Sequence, residues 1–353
     1  MSRGLGAALA AACLAGGACS APATLPELTE AAARERAGDV DAAVAAYRRA
    51  QARCRELQPD RRARDACAEA QLGEAQALES AQRGDEALAA YRRAADAPAS
   101  DVVAATATYR LGKLELERGA RVPAWRALWR CVTRWPDEPS AADALRLLVT
   151  DGRGLDARAL VTELGRVLTE VAESDLADNL VWWLAELSEH ELGDPATARA
   201  LYDRVPVDYP RSGLRDDARW RAAQLSLALG DPAGAARRLR QLLATREVAL
   251  GAGSYFSIWL DDAQLELGRV LRDGLGDAPA AVQAFRRLPR DYPASTLRDD
   301  ALWELAVTLQ QLERRADACA ALAALARAFP DSRHRARAAA LAAALSCPAA
   351  PVS

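Results

Sequence analysis

"RDYPASTLRDDALWELA", residues 290–306, sets an aromatic-Pro pair, a small polar residue, two Asp and a Trp-bearing apolar run in close succession. Variants return as "VDYPRSGLRDDARWRAA" at 207–223, "TRWPDEPSAADALRLL" at 133–148 and "AFPDSRHRARAAAL" at 328–341. Pro cannot continue a helix, and it biases the residue before it out of helical conformation. Tyr209-Pro210 and Tyr292-Pro293 therefore read as helix stops. The acidic pairs Asp216-Asp217, Asp261-Asp262 and Asp299-Asp300 then fall in the first turn of the next helix, facing the positive end of its dipole. Ser140 and Thr296, each three residues before an Asp, predict capping boxes at those starts. The phrase is punctuation between helices, and its carboxylates are expected to cap rather than to catalyse.

Composition agrees with helices. Ala, Leu and Arg dominate the 353 residues, Lys113 is the one lysine, and aromatics are 5%. Such residues lose least on entering a helix. Apolar residues reach 51%, enough for a sizeable core. Forty-six basic against 49 acidic residues leave a formal charge of −3. That balance argues against nucleic acid and against a polybasic membrane-binding surface.

A register runs along the chain. Turn positions fall at Gly38, Gly119, Gly193, Gly230 and Gly276, with Glu313 in the same role and Gln82 opening a shortened copy. Gly193 to Gly230 and Gly276 to Glu313 are each 37 residues, and Gly119 to Gly193 is 74. Five residues after the turn comes a small side chain and nine after it a large one: Ala43 and Tyr47, Ala124 and Leu128, Ala198 and Tyr202, Ala235 and Leu239, Ala281 and Phe285, Ala318 and Leu322. With Pro136, Pro210, Pro293 and Pro330 seventeen residues after the turn, the pattern resembles the tetratricopeptide repeat. The most faithful copy is "YRLGKLELERGARVPAWRALWRCVTRWP", 109–136. The resemblance implies an all-α, right-handed superhelical solenoid over residues 27–346. It would hold about eight stacked helix-turn-helix units, one of them degraded near 154–170, plus a C-terminal cap helix. It also implies that the small residue lets two helices approach and that the large one fills the gap to the neighbouring unit. Residues 347–353 are expected to be a frayed tail.

The N-terminus, "MSRGLGAALAAACLAGGACSAPATLPEL", has one Arg before a weakly apolar run that ends in small residues. That layout predicts a signal peptide over 1–18 and a tether over 19–26. It looks like a bacterial lipoprotein signal with Cys19 as the lipidated residue, which implies an outer-membrane lipoprotein facing the periplasm. The alternative is ordinary cleavage to a soluble periplasmic protein. Export makes disulfides plausible for the remaining cysteines. Cys54 ends the second helix of unit one and Cys67 begins the first helix of unit two, so those two are expected to pair. Cys319 and Cys347 have the same relation at the other end, which leaves Cys131 as a reduced core thiol.

Catalytic chemistry is thin. His190 and His334 are the only histidines, 144 positions apart in charged helical contexts, and are expected to be solvated. No metal-ligand spacing and no Gly-rich phosphate loop occurs, so no enzyme, cofactor, metal or small-molecule substrate is expected. The Arg pairs 48–49, 92–93, 237–238 and 286–287 read as a solvated face balanced by nearby carboxylates. Tyr109, Trp183, Trp220 and Trp303 recur at one first-helix position, with Leu265 at the matching place. They could pack as core or stand as a ladder of anchors; as anchors, at least two should remain more than a third exposed. The stretched segment 251–259, with Tyr255, Phe256 and Trp259, could close over a guest. The resulting expectation is a non-catalytic cell-envelope scaffold. It would bind envelope proteins or peptides along the concave face of the solenoid, in outer-membrane protein assembly or envelope maintenance. The alternatives are an adaptor of a pilus, secretion or motility complex, and a helical subunit of a peptidoglycan-processing enzyme.

Overall fold

The computed structural model describes residues 25–56, 61–245 and 257–348, and every regular element among them is helical. The helices fall into two compact units. The first takes the residues up to 152 together with 170–176. It holds α1 (Pro26–Arg36), α2 (Val40–Cys54), α3 (Arg61–Ser80), α4 (Gly84–Asp96), α5 (Asp101–Glu117), α6 (Arg121–Arg134) and α7 (Pro139–Gly152). The second takes 153–169 and the residues from 177 onward. It opens with α8 (Ala157–Glu170), α9 (Ala177–His190), α10 (Pro195–Asp208), α11 (Arg215–Ala228) and α12 (Pro232–Ala244). Next comes α13 (Leu260–Arg269), which runs into a π-helical turn at Val270–Gly274. The unit closes with α14 (Ala278–Asp291), α15 (Arg298–Gln311), α16 (Arg315–Ala328) and α17 (Arg335–Ala344). Among the described residues seven helix pairs pack within the units, α1–α2, α3–α4, α5–α6, α9–α10, α11–α12, α13–α14 and α15–α16, with α17 closing the second unit. The degraded eighth pair expected near 154–170 does not form within either unit, because α7 and α8 fall in different ones. None of these helices is long and apolar enough to cross a membrane.

The turn register holds residue by residue. Gly38, Gly119, Gly193, Gly230 and Gly276 all have φ between 61° and 76°, and Gln82 and Glu313 adopt the same left-handed backbone at 59° and 58°. That conformation costs glycine nothing and crowds any side chain. Asp39, Asp194, Asp231 and Asp277 follow these turns and accept the backbone N–H three residues on, which caps the second helix. At the far end, Trp135, Tyr209, Tyr292 and Phe329, each before a Pro, leave the helical region with φ between −128° and −136°.

The capping boxes expected at Ser140 and Thr296 do not form. Ser140 lies inside α7 with its hydroxyl 3.2 Å from that of Thr106. In the second unit a serine two residues ahead of the helix start takes the capping role instead, after a Pro turn at Ser212, Ser295 and Ser332. The hydroxyls of Ser212, Ser257, Ser295 and Ser332 accept the N–H two residues on. The residue left at the helix start is then apolar or a ring: Leu214, Trp259, Leu297 or His334.

Within a pair, the helices touch where one lacks a side chain. A Cβ on Gly112 would lie 2.7 Å from Leu128 Cγ and 3.2 Å from the Ala124 carbonyl oxygen. Gly268 faces Phe285 in the same way. Leu128 and Phe285 thus fill the gap inside their own pairs, not the gap to a neighbour. Tyr47 does reach the next pair, against Gly73 of α3. All six small residues of the register, Ala43 to Ala318, are fully buried.

Two joints in the second unit, that between α11 and α13 and that between α15 and α17, are made by a ring. Trp259 stacks on Trp220 with centroids 5.2 Å apart and planes within 11°, and its Nε1–H donates to Asp217 Oδ1 at 2.6 Å. His334 repeats the arrangement: it stacks on Trp303 at 5.5 Å and 6°, with Nε2 2.5 Å from Asp300 Oδ1. The Asp-x-x-Trp of one pair therefore clasps the ring that starts the next. His334 is buried, not solvated as expected, because it occupies the place of that ring. At the intervening joint, Leu265 and Leu297 stand in the two ring positions, and among the described residues no side chain donates to Asp262. Burial and then the neighbouring Asp261 push the Asp262 carboxyl above its usual range. Burial also works to raise Asp300, but the bonds from His334 and Arg333 outweigh it and hold that carboxyl below the usual range.

Cys54 is bonded to Cys67 with Cα atoms 5.7 Å apart, and Cys319 to Cys347 at 5.4 Å. Cys131 is free and buried in α6, its Sγ 3.5 Å from the Ala105 carbonyl oxygen; burial pushes its thiol up to about 12.

Three outcomes follow from this packing. Peptide mapping without reductant should return the 54–67 and 319–347 pairs, with Cys131 alkylated only after denaturation. Losing either bridge should cost on the order of 3 kcal/mol, and a mapped pair that includes Cys131 would contradict the arrangement. Gly112→Ala should destabilise by about 1–3 kcal/mol through overpacking, and the same change in a Leu128→Ala background should lose that penalty. Chemical denaturation of the four-member cycle measures the difference.

The third outcome concerns pH. A lowered carboxyl contributes stability that is present above the unfolded value, about 3.9, and is lost as pH falls through the folded one. A raised carboxyl does the reverse, disfavouring the fold as pH rises through its folded value. Asp300→Asn should therefore lower the melting midpoint at pH 7 and matter less below pH 3. Asp262→Asn should raise the midpoint at pH 7 and leave it unchanged near pH 3. Thermal melts across that range decide both.

Candidate partner-binding face

The four aromatic rings singled out by their spacing are not exposed. Trp303 is buried, and Tyr109, Trp183 and Trp220 are half-buried. Trp303 and Trp220 are occupied by the ring joints, and Trp183 carries the Arg153 guanidinium 5.5 Å from its ring centroid. An indole buries a large apolar area, and here that area serves packing. Trp259, expected in a closing loop, is the first residue of a joint, half-buried at the start of α13. Tyr255, Phe256 and Cys19 lie outside the described residues. Tyr109 belongs to the first unit and the three Trp to the second.

The Arg pairs lie on a solvated face balanced by carboxylates, as expected: of the eight, all but the half-buried Arg238 are exposed, and six meet a carboxylate. Arg48 and Arg93 both reach the buried carboxylate of Glu74, Arg49 reaches Glu30, Arg92 reaches Glu115, and Arg238 reaches Asp203. Arg287 pairs with Asp291 one turn on. The bridges of Arg48, Arg49, Arg92 and Arg93 tie second helices to first helices, that of Arg238 ties α12 to α10, and the exposed ones contribute little each.

What the first helices present in the second unit is a charged pocket of about 590 Å³ bounded by α13, its π-helical turn, α15 and α17. Trp303 and His334 form its floor, with Val307 beside them. Arg269 and Arg272 form one wall and share Glu304, at 3.1 and 2.7 Å. Arg272 is held further by Asp273 at 2.7 Å and sits 5.7 Å above the Phe285 ring. The bond from Asp273, and after it that from Glu304, raises this guanidinium above its ordinary value despite burial. The opposite wall is Arg333, bonded to Asp300 at 2.5 Å, and Arg337, 4.6 Å from the Trp303 ring centroid. The π-helical turn helps make the wall, because its extra residue leaves Arg272 between Glu304 and Phe285; such turns recur at functional sites.

A smaller pocket of about 190 Å³ lies in the first unit between α5 and α6, lined by Leu111, Glu115, Arg126 and Arg130. Thr108, fully buried at its base, has a hydroxyl without a hydrogen-bond partner. Neither pocket was foreseen. The larger one needs residues from two successive pairs and the closing helix, and the spacing of Arg269, Arg333 and Arg337 along the chain gives no hint that they meet. Among the described residues no group of His, Cys, Asp and Glu is arranged to hold a metal ion.

No curated protein matches this chain. Solved structures similar to it include YrrB, described as a TPR protein with an unusual peptide-binding site, at 16% identity over 61% of this chain and 99% of that one, TM-score 0.39. Others are Pseudomonas aeruginosa PilF, 17% identical over 67% and 97%, TM-score 0.39, and the type IV pilus biogenesis factor PilW, 17% over 66% and 97%, TM-score 0.39. The sequence model of the tetratricopeptide repeat matches residues 180–212, 262–295 and 300–332. Those segments take in α9–α10, α13–α14 and α15–α16, each with its left-handed turn and terminal Pro or Ser, so the repeat seen in the helices is a tetratricopeptide repeat at these three places.

Proposed function

We propose that this chain is a non-catalytic scaffold of the bacterial cell envelope. It holds segments of partner proteins along the first-helix face of its repeats and is anchored to the outer membrane through a lipidated Cys19. The observation that carries the reading is the pocket over Trp303 and His334. Its floor is rigid, stacked and already paid for by packing, while its rim is lined with side chains that can donate hydrogen bonds to an incoming chain. Binding on a preorganised face avoids much of the ordering cost that weakens association. Tetratricopeptide repeats bind peptides and proteins, and the signal-like run ahead of Cys19 supports export and lipidation. Two acyl chains or more on that residue would give stable attachment where one would be marginal.

The test is a photocrosslinking side chain placed at Val307 in the pocket and, as control, at Arg286 on the exposed side of α14, in cells fractionated before and after irradiation. Val307 should capture one or a few envelope proteins and Arg286 none. Cys19→Ala should move the protein from the membrane to the soluble periplasmic fraction. Equal capture at both positions, or none at Val307, would overturn the scaffold reading. Unchanged membrane partition of a normally processed Cys19→Ala protein would overturn the anchor.

A further inference from the structure

The last joint of the second unit departs from the others in sign. Five residues after the capping serine, each preceding pair places an acceptor: Asp217 after Ser212, Asp262 after Ser257 and Asp300 after Ser295. Five residues after Ser332 the chain places Arg337. The acidic pair that favours a helix start is absent from α17, and Arg335 and Arg337 stand in its first turn, where the helix dipole disfavours cations. From Ser332 to Pro348 there are three Arg and no Asp or Glu. Of the three, Arg333 is paired with Asp300, whereas among the described residues neither Arg335 nor Arg337 has a carboxylate partner.

The floor beneath these arginines is fixed by the joint itself. His334 is nine-tenths buried, lines the pocket, and spends its Nε2 on Asp300, while its Nδ1 has no hydrogen-bond partner. A buried polar atom without a partner is costly. The pocket also has room that the chain leaves unfilled, about 590 Å³.

We infer that the pocket at α17 is a docking site for an acidic segment of a partner protein, whose carboxylates pair with Arg337 and Arg333 above the Trp303–His334 floor. This rests on the scaffold reading and names the chemistry of its partner. A segment opened by a ring, as at Trp259 and His334, would meet a donor in Arg337 where it needs an acceptor. A carboxylate is the complement of a guanidinium in both charge and fork geometry. Glu304 in the wall disfavours a compact polyanion at the pocket's centre but not single carboxylates entering along the α17 side. The pocket is recessed between helices, so an extended chain can enter it more readily than a flat bilayer can.

The test uses the purified full chain and a fluorescein-labelled hexapeptide of alternating Glu and Leu, with its Gln–Leu and Lys–Leu counterparts, read by fluorescence anisotropy. The Glu peptide should bind at least about tenfold more tightly than the Gln peptide, and more weakly as salt rises. Arg337→Glu should remove that preference and favour the Lys peptide while keeping a cooperative thermal melt, since Arg337 is exposed. Equal binding of the Glu and Gln peptides, or a preference that survives Arg337→Glu, overturns the inference. So does full competition by inorganic phosphate, or binding to phosphatidylglycerol vesicles that depends on Arg337 while the peptide fails. Photocapture at Val307 separates the two levels. If capture persists in Arg337→Glu, the scaffold stands and the acidic partner falls; if wild type captures nothing, the scaffold itself falls.

Discussion

Each helix pair in this chain leaves one face that only the next pair can cover, and the joint between pairs is the constraint on which everything else depends. A repeat of this size cannot bury its apolar surface alone. In the second unit the joint is specified by more than apolar contact: an Asp and a Trp three residues apart on one helix fix the ring that opens the next. Stacking supplies area, and the buried Asp supplies direction, because its acceptor is satisfied only when the ring lies in one orientation. Where leucines replace both rings, the bridges from Arg269 and Arg272 to Glu304 span the joint instead, and Asp262 is left to bear its burial. The short phrase that recurs through the sequence is therefore two devices in one. Its aromatic-Pro half ends a helix, and its Asp-x-x-Trp half selects what may follow.

How far the residues alone could predict this depends on how local each feature is. Left-handed turns, Pro stops and the capping Asp residues act within a few positions of chain, so their spacing gave the helix pairs and their register, down to Gln82 and Glu313 standing in for glycine. The cysteine expectations needed only the order of helix ends. The joints were out of reach because they require knowing which residue of one pair meets which of the next. Trp220 and Trp303 stand out as a series, yet their partners do not, since Trp259 reads as part of a long loop and His334 lies among arginines like a surface residue. One signal is available: both lie two residues after a serine, Ser257 and Ser332, as Leu214 and Leu297 do after Ser212 and Ser295. The pocket was further still from reach, assembled from three helices and one π-helical turn that no periodicity announces.

The two disulfides fall at the extremities of the described helices, one tying α2 to α3 and the other tying α16 to the residue run that follows α17. In linear arrays, stability is close to a sum of unit and nearest-neighbour contributions, and the outermost units, with a neighbour on one side only, fray first. A covalent stitch at each extremity reverses that order: the ends can no longer peel away while the middle persists. Opening is then driven inward, toward couplings that lack a ring, of which the Leu265–Leu297 contact is the clearest in the second unit. A chain held in an oxidising compartment would thus yield from within, whereas the same chain under reducing conditions would unravel from its tips.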